Sequence, residues 1–122
     1  MFTLTVKSGF SAAHHLATYP GACKRIHGHN YKVSISVQAC ELGESGMIMD
    51  LIQLQSLLHE CLKPFDHQLL NNIEPFDHLN PTSENIAKTV YEFIQKRLPE
   101  HVSMSRVTVH EIDDFCVTYS PH

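Results

Sequence analysis

Nowhere does the sequence carry an apolar run approaching the roughly 18 residues that a membrane-spanning helix needs, so no membrane association is expected. Clustered cations are lacking as well. Nine basic side chains stand against thirteen acidic ones, for a net charge of −4. Without a basic run to neutralise phosphates, nucleic acid is not an expected partner. No C-x-x-C occurs among the four cysteines, Cys23, Cys40, Cys61 and Cys116. An even count allows two disulfides, but Met1-Phe2-Thr3-Leu4 enters a strand pattern at once, without the charged segment and apolar core of an export leader. A reducing, cytoplasmic setting is therefore expected, with the cysteines as thiols. At 122 residues, 43% hydrophobic and 18% charged, the chain reads as one globular domain, residues 1–122. Folding would bury about two-thirds of the unfolded surface.

What the chain has in excess is histidine, ten residues dispersed along it. The stretch that organises the rest is Cys23-Lys24-Arg25-Ile26-His27-Gly28-His29-Asn30-Tyr31. It leads into alternating Tyr31, Val33, Ile35, Val37 and Ala39, a strand with one buried face. Side chains two apart on a strand share a face, so His27 and His29 aim at one point on the inward parity. Gly28 leaves room between them for an ion or ligand. Two imidazoles supply two-thirds of a three-ligand catalytic zinc site. A bare H-x-H equally describes two half-exposed histidines at a strand start; the thiol upstream and a third histidine on the preceding segment favour the metal. Phe2, Leu4, Val6 and Phe10 alternate with Thr3, Thr5 and Lys7 as a first strand. Continued unbroken, that strand puts His14 on the apolar face and His15 opposite, unless Ser11-Ala12-Ala13 holds a bulge.

Further on, Gly43-Glu44-Ser45-Gly46 reads as a hairpin loop and Met47–Met49 as a short strand. Asp50 followed by Gln53 resembles a capping-box helix start, with Leu51, Leu54, Leu58 and Leu62 as its stripe and Pro64 at its end. After a loop from Phe65 to Pro81, Thr82 caps a second helix whose stripe is Ile86, Ala87, Val90, Tyr91 and Ile94. Strands at Ser105–Glu111 and Phe115–Tyr119 finish the chain. Hairpin-linked strands with grouped helices indicate an α+β fold, an antiparallel sheet with helices on one face.

Three features carry chemistry. Cys23 lies beside Lys24, Arg25 and the candidate metal, all of which favour the reactive thiolate; Cys40, Cys61 and Cys116 read as structural. Asp66-His67 places a carboxylate beside an imidazole, which can fix a tautomer for acid–base work. The same four residues recur, Pro64-Phe65-Asp66-His67 and Pro75-Phe76-Asp77-His78, so Asp77-His78 is an internal control. Glu111 shares parity with Val107 and Val109. Its carboxylate is either turned inward, where it needs a partner with N–H donors, or solvated beyond the strand's end.

Phe10-Ser11-Ala12-Ala13-His14, Cys23-x-x-x-His27-Gly28-His29-Asn30-Tyr31, Asp66-His67, Pro81-Thr82-Ser83-Glu84-Asn85 and Glu111 before the last strand occur in that order across almost the whole chain. Together they resemble the 6-pyruvoyltetrahydropterin synthase / 6-carboxytetrahydropterin synthase family. The resemblance implies the tunnelling fold (T-fold): a four-stranded antiparallel sheet with two helices packed on one face, trimers closed into a barrel, and a homohexamer of two trimers. It implies Zn2+ on His14, His27 and His29, Cys23 as catalytic base, Asp66 and His67 as its assisting pair, and Glu111 as the pterin anchor. Thr82 and Ser83 match the pterin-pocket segment. The implied substrate is a small molecule, 7,8-dihydroneopterin triphosphate, for which Lys24 and Arg25 are either triphosphate contacts or ordinary surface charges. The three residues between Cys23 and His27 resemble the carboxy-forming branch, which serves queuosine and 7-deazaguanine synthesis, rather than the pyruvoyl-forming branch with its longer spacer. The expected activity is thus a carbon–carbon lyase giving 6-carboxy-5,6,7,8-tetrahydropterin, acetaldehyde and triphosphate. The alternatives are 6-pyruvoyltetrahydropterin synthase, a zinc hydrolase in which Cys23 is incidental, and a non-catalytic pterin- or zinc-binding protein.

Overall fold

The computed structural model describes residues 1–16 and 25–121. Its first two strands, β1 (Phe2–His14) and β2 (His27–Ala39), pair antiparallel in unbroken register from Phe2↔Ala39 to His14↔His27. No bulge interrupts Ser11–Ala13. The period-2 alternation therefore carries from Val6 through Phe10 and Ala12 to His14, all buried. Tyr31, Val33, Ile35, Val37 and Ala39 of β2 are buried with them. Gly9 is required by the close pairing: a Cβ there would lie 2.5 Å from the Tyr31 carbonyl oxygen.

β4 (Ser103–Ile112) pairs with the far side of β2 and β5 (Phe115–Tyr119) with β4, both antiparallel. β3 (Gln68–Leu69) adds to the β1 edge in parallel, giving the order β3-β1-β2-β4-β5. The expected four antiparallel strands are present, and the fifth, two-residue strand makes the sheet mixed. β4 starts two residues earlier than the alternation predicts. Ser36 pairs with Arg106 and Val37 with Met104, so Ser105 bulges out, and the shift restores Met104 to the buried face of Val107 and Val109.

The short strand expected at Met47–Met49 does not form. Gly43 N–H donates to the Met47 carbonyl at 2.9 Å and Gly46 N–H to the Gly43 carbonyl at 2.9 Å, with Gly46 at a φ of 77°. Ile48 and Met49 are nevertheless buried in the core.

α1 (Leu51–Leu62) starts where the Asp50 carboxylate accepts the Ile52 N–H at 2.9 Å. Its buried stripe is Leu54, Leu58, Cys61 and Leu62; Leu51, expected within it, is 52% exposed. Burial pushes the Cys61 thiol up to about 12, which makes it a core residue rather than a nucleophile. α2 (Ser83–Gln95) is capped by the Thr82 hydroxyl, which accepts the Asn85 N–H at 3.1 Å, and buries Ile86, Ala87, Val90 and Ile94. Tyr91 is half-buried and meets Tyr119 edge-on. α1 packs on β1, α2 on β4 and β5, and the helices on each other, which closes the core over one sheet face. The segment expected as a loop holds 3-10 turns at Lys63–Phe65 and Leu70–Asn72 around β3. Within it Phe65 and Phe76, from the two Pro-Phe-Asp-His copies, are both buried with ring centroids 5.4 Å apart. No helix is long and apolar enough to cross a membrane.

Candidate metal centre and active site

The unbroken β1–β2 register puts His14 directly opposite His27, with His29 two residues further on the same face. From the other side comes Glu111. In β4 His110 pairs with Cys116 and Ile112 with Phe115, so Glu111 is itself a bulged residue without a ladder partner. Bulges re-aim side chains next to functional sites. Here the carboxylate reaches inward: Oε1 lies 3.0 Å from His14 Nε2 and 3.3 Å from His29 Nε2. His14 Nε2 is 3.1 Å from His27 Nε2. One ligand atom from each of the four residues falls within 4.8 Å of the others.

Main-chain carbonyls orient the rings. His14 Nδ1 donates to the Pro81 carbonyl at 2.8 Å, and His27 Nδ1 to the Arg25 carbonyl at 2.8 Å. Each neutral ring is thereby left with an Nε2 lone pair, and both lone pairs point into the same space. His29 Nε2 is buried there without a hydrogen-bond partner among the described residues, since Glu111 stands outside hydrogen-bond alignment. Converging lone pairs and an orphaned buried nitrogen call for a cation between them. Tetrahedral zinc with N and O donors about 2.0–2.2 Å away would space those donors about 3.3 Å apart, close to the 3.0–3.3 Å between His14 and Glu111, His14 and His27, and His29 and Glu111. Three borderline imidazoles and a carboxylate also match the donor preference of zinc. Burial holds the His14 imidazole below the usual histidine range, against the opposing pull of the Pro81 carbonyl and Glu111, and burial lowers His29 too. Both favour the neutral, ligating form. Behind the cluster, the Tyr31 hydroxyl lies 3.0 Å from His14 Nδ1 on a ring stacked 4.7 Å from Phe10. Burial, then Glu111's charge, keeps that phenol well above its usual range and protonated.

The Asp66-His67 pair forms: His67 Nδ1 is 3.0 Å from Asp66 Oδ2. The control pair forms equally well, His78 Nδ1 to Asp77 Oδ1 at 2.8 Å. What separates them is an anchor on β1. Ser11 N–H donates to Asp66 Oδ1 at 2.9 Å, and His67 N–H donates to the Ser11 carbonyl at 2.6 Å. These bonds hold His67 in the left-handed region at a φ of 59°, a conformation that costs about 1–3 kcal/mol and persists only when its surroundings enforce it. Ser11 Oγ also donates to Asn30 Oδ1 at 2.6 Å, which ties the pair to β2 beside His29. The Ser11 N–H, then His67, hold the Asp66 carboxyl below the usual range. A cleft of about 520 Å³ beside His67 is lined by Ser11, Ala13, Gly28 and Asn30, within the size range of small-molecule sites; these residues have the strand parity opposite to the imidazole cluster.

Cys23 and Lys24 lie outside the described residues. Arg25 is exposed and serves His27 through its carbonyl. His15 falls off the strand, its backbone clamped by Asn71 (N–H to Oδ1 and carbonyl to Nδ2, both 3.0 Å), away from the metal cluster. Thr82 spends its hydroxyl as a helix cap and Ser83 is buried, one and two residues beyond the carbonyl that holds His14. Sequence reasoning missed Ser11, Asn30 and Tyr31 as site residues. Tyr31 was visible only as a polar-tipped residue on a buried parity, and such tips need partners.

The sequence matches the family model described as 6-pyruvoyl tetrahydropterin synthase over residues 3–122. It is 39% identical over 102 residues to the 6-carboxy-5,6,7,8-tetrahydropterin synthase of Bacillus subtilis, covering 80% of this chain and 68% of that one. It is 37% identical over 95 residues to human 6-pyruvoyl tetrahydrobiopterin synthase, 76% and 65% of the two chains. A dihydroneopterin monophosphate aldolase of Pyrococcus furiosus is 33% identical over 111 residues, 91% and 90%. The solved structure of Caenorhabditis elegans 6-pyruvoyl tetrahydropterin synthase superposes with a TM-score of 0.86 at 28% identity, over 99% of this chain and 96% of that one.

Proposed function

The chain belongs to the 6-pyruvoyl tetrahydropterin synthase family, and we propose that it is the zinc-dependent carbon–carbon lyase of that family. On this reading it converts 7,8-dihydroneopterin triphosphate and water to 6-carboxy-5,6,7,8-tetrahydropterin, acetaldehyde and triphosphate, in the cytoplasm, for queuosine-type biosynthesis. The observation that carries the reading is the orphaned His29 Nε2, buried among converging imidazoles. The carboxy branch draws on the three-residue Cys23–His27 spacer and on the Bacillus relative.

His14, His27 and His29 would hold the zinc ion, which supplies Lewis acidity to the substrate's side-chain hydroxyls. Cys23 would remove a side-chain proton as general base. His67, oriented by Asp66, would carry protons as triphosphate leaves. Glu111 would accept from the pterin's amino group and ring N–H, rejecting ligands without those donors. Thr82 and Ser83 would border the pterin, and Lys24 and Arg25 are candidate triphosphate contacts. His67 is 81% exposed and Asp66 45% exposed, as expected of a pair that completes its site against another subunit. The short edges β3 and β5 leave the sheet open to pairing. A homohexamer of two trimers fits both.

The human relative and the worm structure support the pyruvoyl-forming reaction as a second reading. Incubation with dihydroneopterin triphosphate, with volatile aldehyde trapped and the pterin followed by mass, separates the two. Stoichiometric acetaldehyde is expected. Triphosphate release with all three side-chain carbons retained moves the protein to the pyruvoyl branch. Cleavage of the monophosphate alone would match the Pyrococcus relative instead.

A further inference from the structure

We infer that Asn71 is a positioning residue of the metal centre: its side-chain amide pins the backbone of His15 and so fixes where His14 presents its imidazole. The inference rests on the metal-dependent reading above. His15 N–H donates to Asn71 Oδ1, and Asn71 Nδ2 donates to the His15 carbonyl, both at 3.0 Å. Asn71 is not one of the four residues of the cluster. Its effect on the metal passes through the main chain that carries His14.

The clamp completes a longer attachment, in which residues 66–71 run alongside residues 11–15. Asp66 Oδ1 accepts the Ser11 N–H, and the Ser11 carbonyl accepts the His67 N–H. β3 then pairs Gln68 with Ala12 and Leu69 with Ala13. At Leu70 the main chain leaves the ladder for a 3-10 turn, seated in the core by the fully buried Leu70. An asparagine side chain carries the same N–H donor and C=O acceptor as a peptide unit. Asn71 therefore supplies from its side chain the next pair of strand bonds, which the turning backbone no longer makes.

His14 is where that support matters. It is the last residue of β1, and its pairing with His27 is the last of the β1–β2 register, while the β3 pairing stops one residue earlier, at Ala13. The ends of elements open first, and an opening here would move a metal ligand. The Pro81 carbonyl sets the His14 ring through Nδ1 but does not hold its main chain. With Asn71 in place, His14 has an anchored neighbour on each side, Ala13 on β3 and His15 on the amide. The same attachment carries Asp66 and His67 at its other end, so it sets the acid–base pair and the first histidine of the cluster on one stretch of strand.

The test uses the full chain. Competition against a chelating dye measures zinc affinity in the wild type, in Asn71→Ala, and in Asn72→Ala, a control at the exposed neighbour on the same turn. Asn71→Ala is expected to hold zinc about tenfold or more weakly, the effect usual for a residue that orients a ligand from behind. Its cobalt-substituted form should also differ from the wild type in visible spectrum, which reports ligand geometry, and Asn72→Ala should match the wild type in both. Where Asn71→Ala does not fold, Asn71→Asp, which keeps the acceptor for the His15 N–H and loses only the donor, is read by the same two measurements. Wild-type zinc affinity or a wild-type cobalt spectrum in the folded variant overturns the inference, even if its unfolding midpoint falls. So does an equal loss in Asn72→Ala, or a failure of both Asn71 variants to fold, since each leaves Asn71 a structural place only. A wild-type chain that takes up no metal overturns the metal-dependent reading itself.

Discussion

Replacing Asp66 by asparagine exchanges one carboxylate oxygen for an NH2 group and leaves the side chain's shape alone. Asp66 Oδ1 accepts the Ser11 N–H at 2.9 Å, and Oδ2 faces His67 Nδ1 at 3.0 Å. The amide would keep its oxygen on Ser11 and turn its NH2 toward His67. His67 Nδ1 would then have to accept, which moves the ring proton to Nε2 and removes the lone pair that Nε2 offers a substrate proton. The fold should not notice. The pair is 45% and 81% exposed, so solvent screens it and the unfolding midpoint should hardly move. The chemistry should notice strongly, because a wrong tautomer disables a proton carrier and costs about 10²–10⁴ in kcat. Zinc content should be unchanged, since Asp66 is not among the cluster's donors. Acetaldehyde release measures the rate, and nitrogen-15 spectra of labelled histidine report the His67 tautomer independently of turnover. Activity within about fivefold of wild type, or the same His67 tautomer in both proteins, would refute the assigned role of the pair.

Two further outcomes are expected. His14→Ala should lose most of the bound zinc by elemental analysis, and about 2–4 kcal/mol of stability with its buried ring and carbonyl contact, whereas His15→Ala should keep close to one zinc per chain; the reverse pattern would contradict the ligand choice. Light scattering of the purified protein should report a mass near six times the 13.8 kDa chain, and a monomer that turns over at full rate would contradict a site completed between subunits.

The alternation of apolar residues was a sound guide to the fold wherever strands pair without interruption. From Val6 to His14, and from His27 to Ala39, the apolar side chains take the face their parity assigns, although Ser36, on the outward parity, is buried as well. Parity failed where the pairing itself slips. Ser105 bulges, so Met104 and Val107 share a face despite opposite parity, and the first residues of β4 could not be recognised from the later ones. At Ile48 and Met49 the apolar signal was real, but the two residues are buried without pairing as a strand. Periodicity reports which residues need burial; it does not report what covers them. Leu51 errs in the other direction, an apolar residue on the right helical spacing that this chain leaves exposed.

The three histidines were legible for the same reason as the strands, because their positions follow from parity and one register. What fixes their chemistry was not legible. The tautomers of His14 and His27 are set by the carbonyls of Pro81 and Arg25, and every residue has a carbonyl, so no residue type signals that one will be used. The duplicated Pro-Phe-Asp-His segments make the same point from within one chain. Both copies bury their phenylalanine and both close the carboxylate onto the imidazole, at 3.0 and 2.8 Å. Local sequence therefore specifies the Asp–His pair equally in each. Among the described residues only the first copy bonds to Ser11, whose N–H and carbonyl take up Asp66 and the His67 backbone and set His67 at the cleft that Ser11, Gly28 and Asn30 line. Ser11 does this through its main chain while its side chain reaches Asn30, so the residue that tells the two copies apart contributes almost nothing that its identity could reveal.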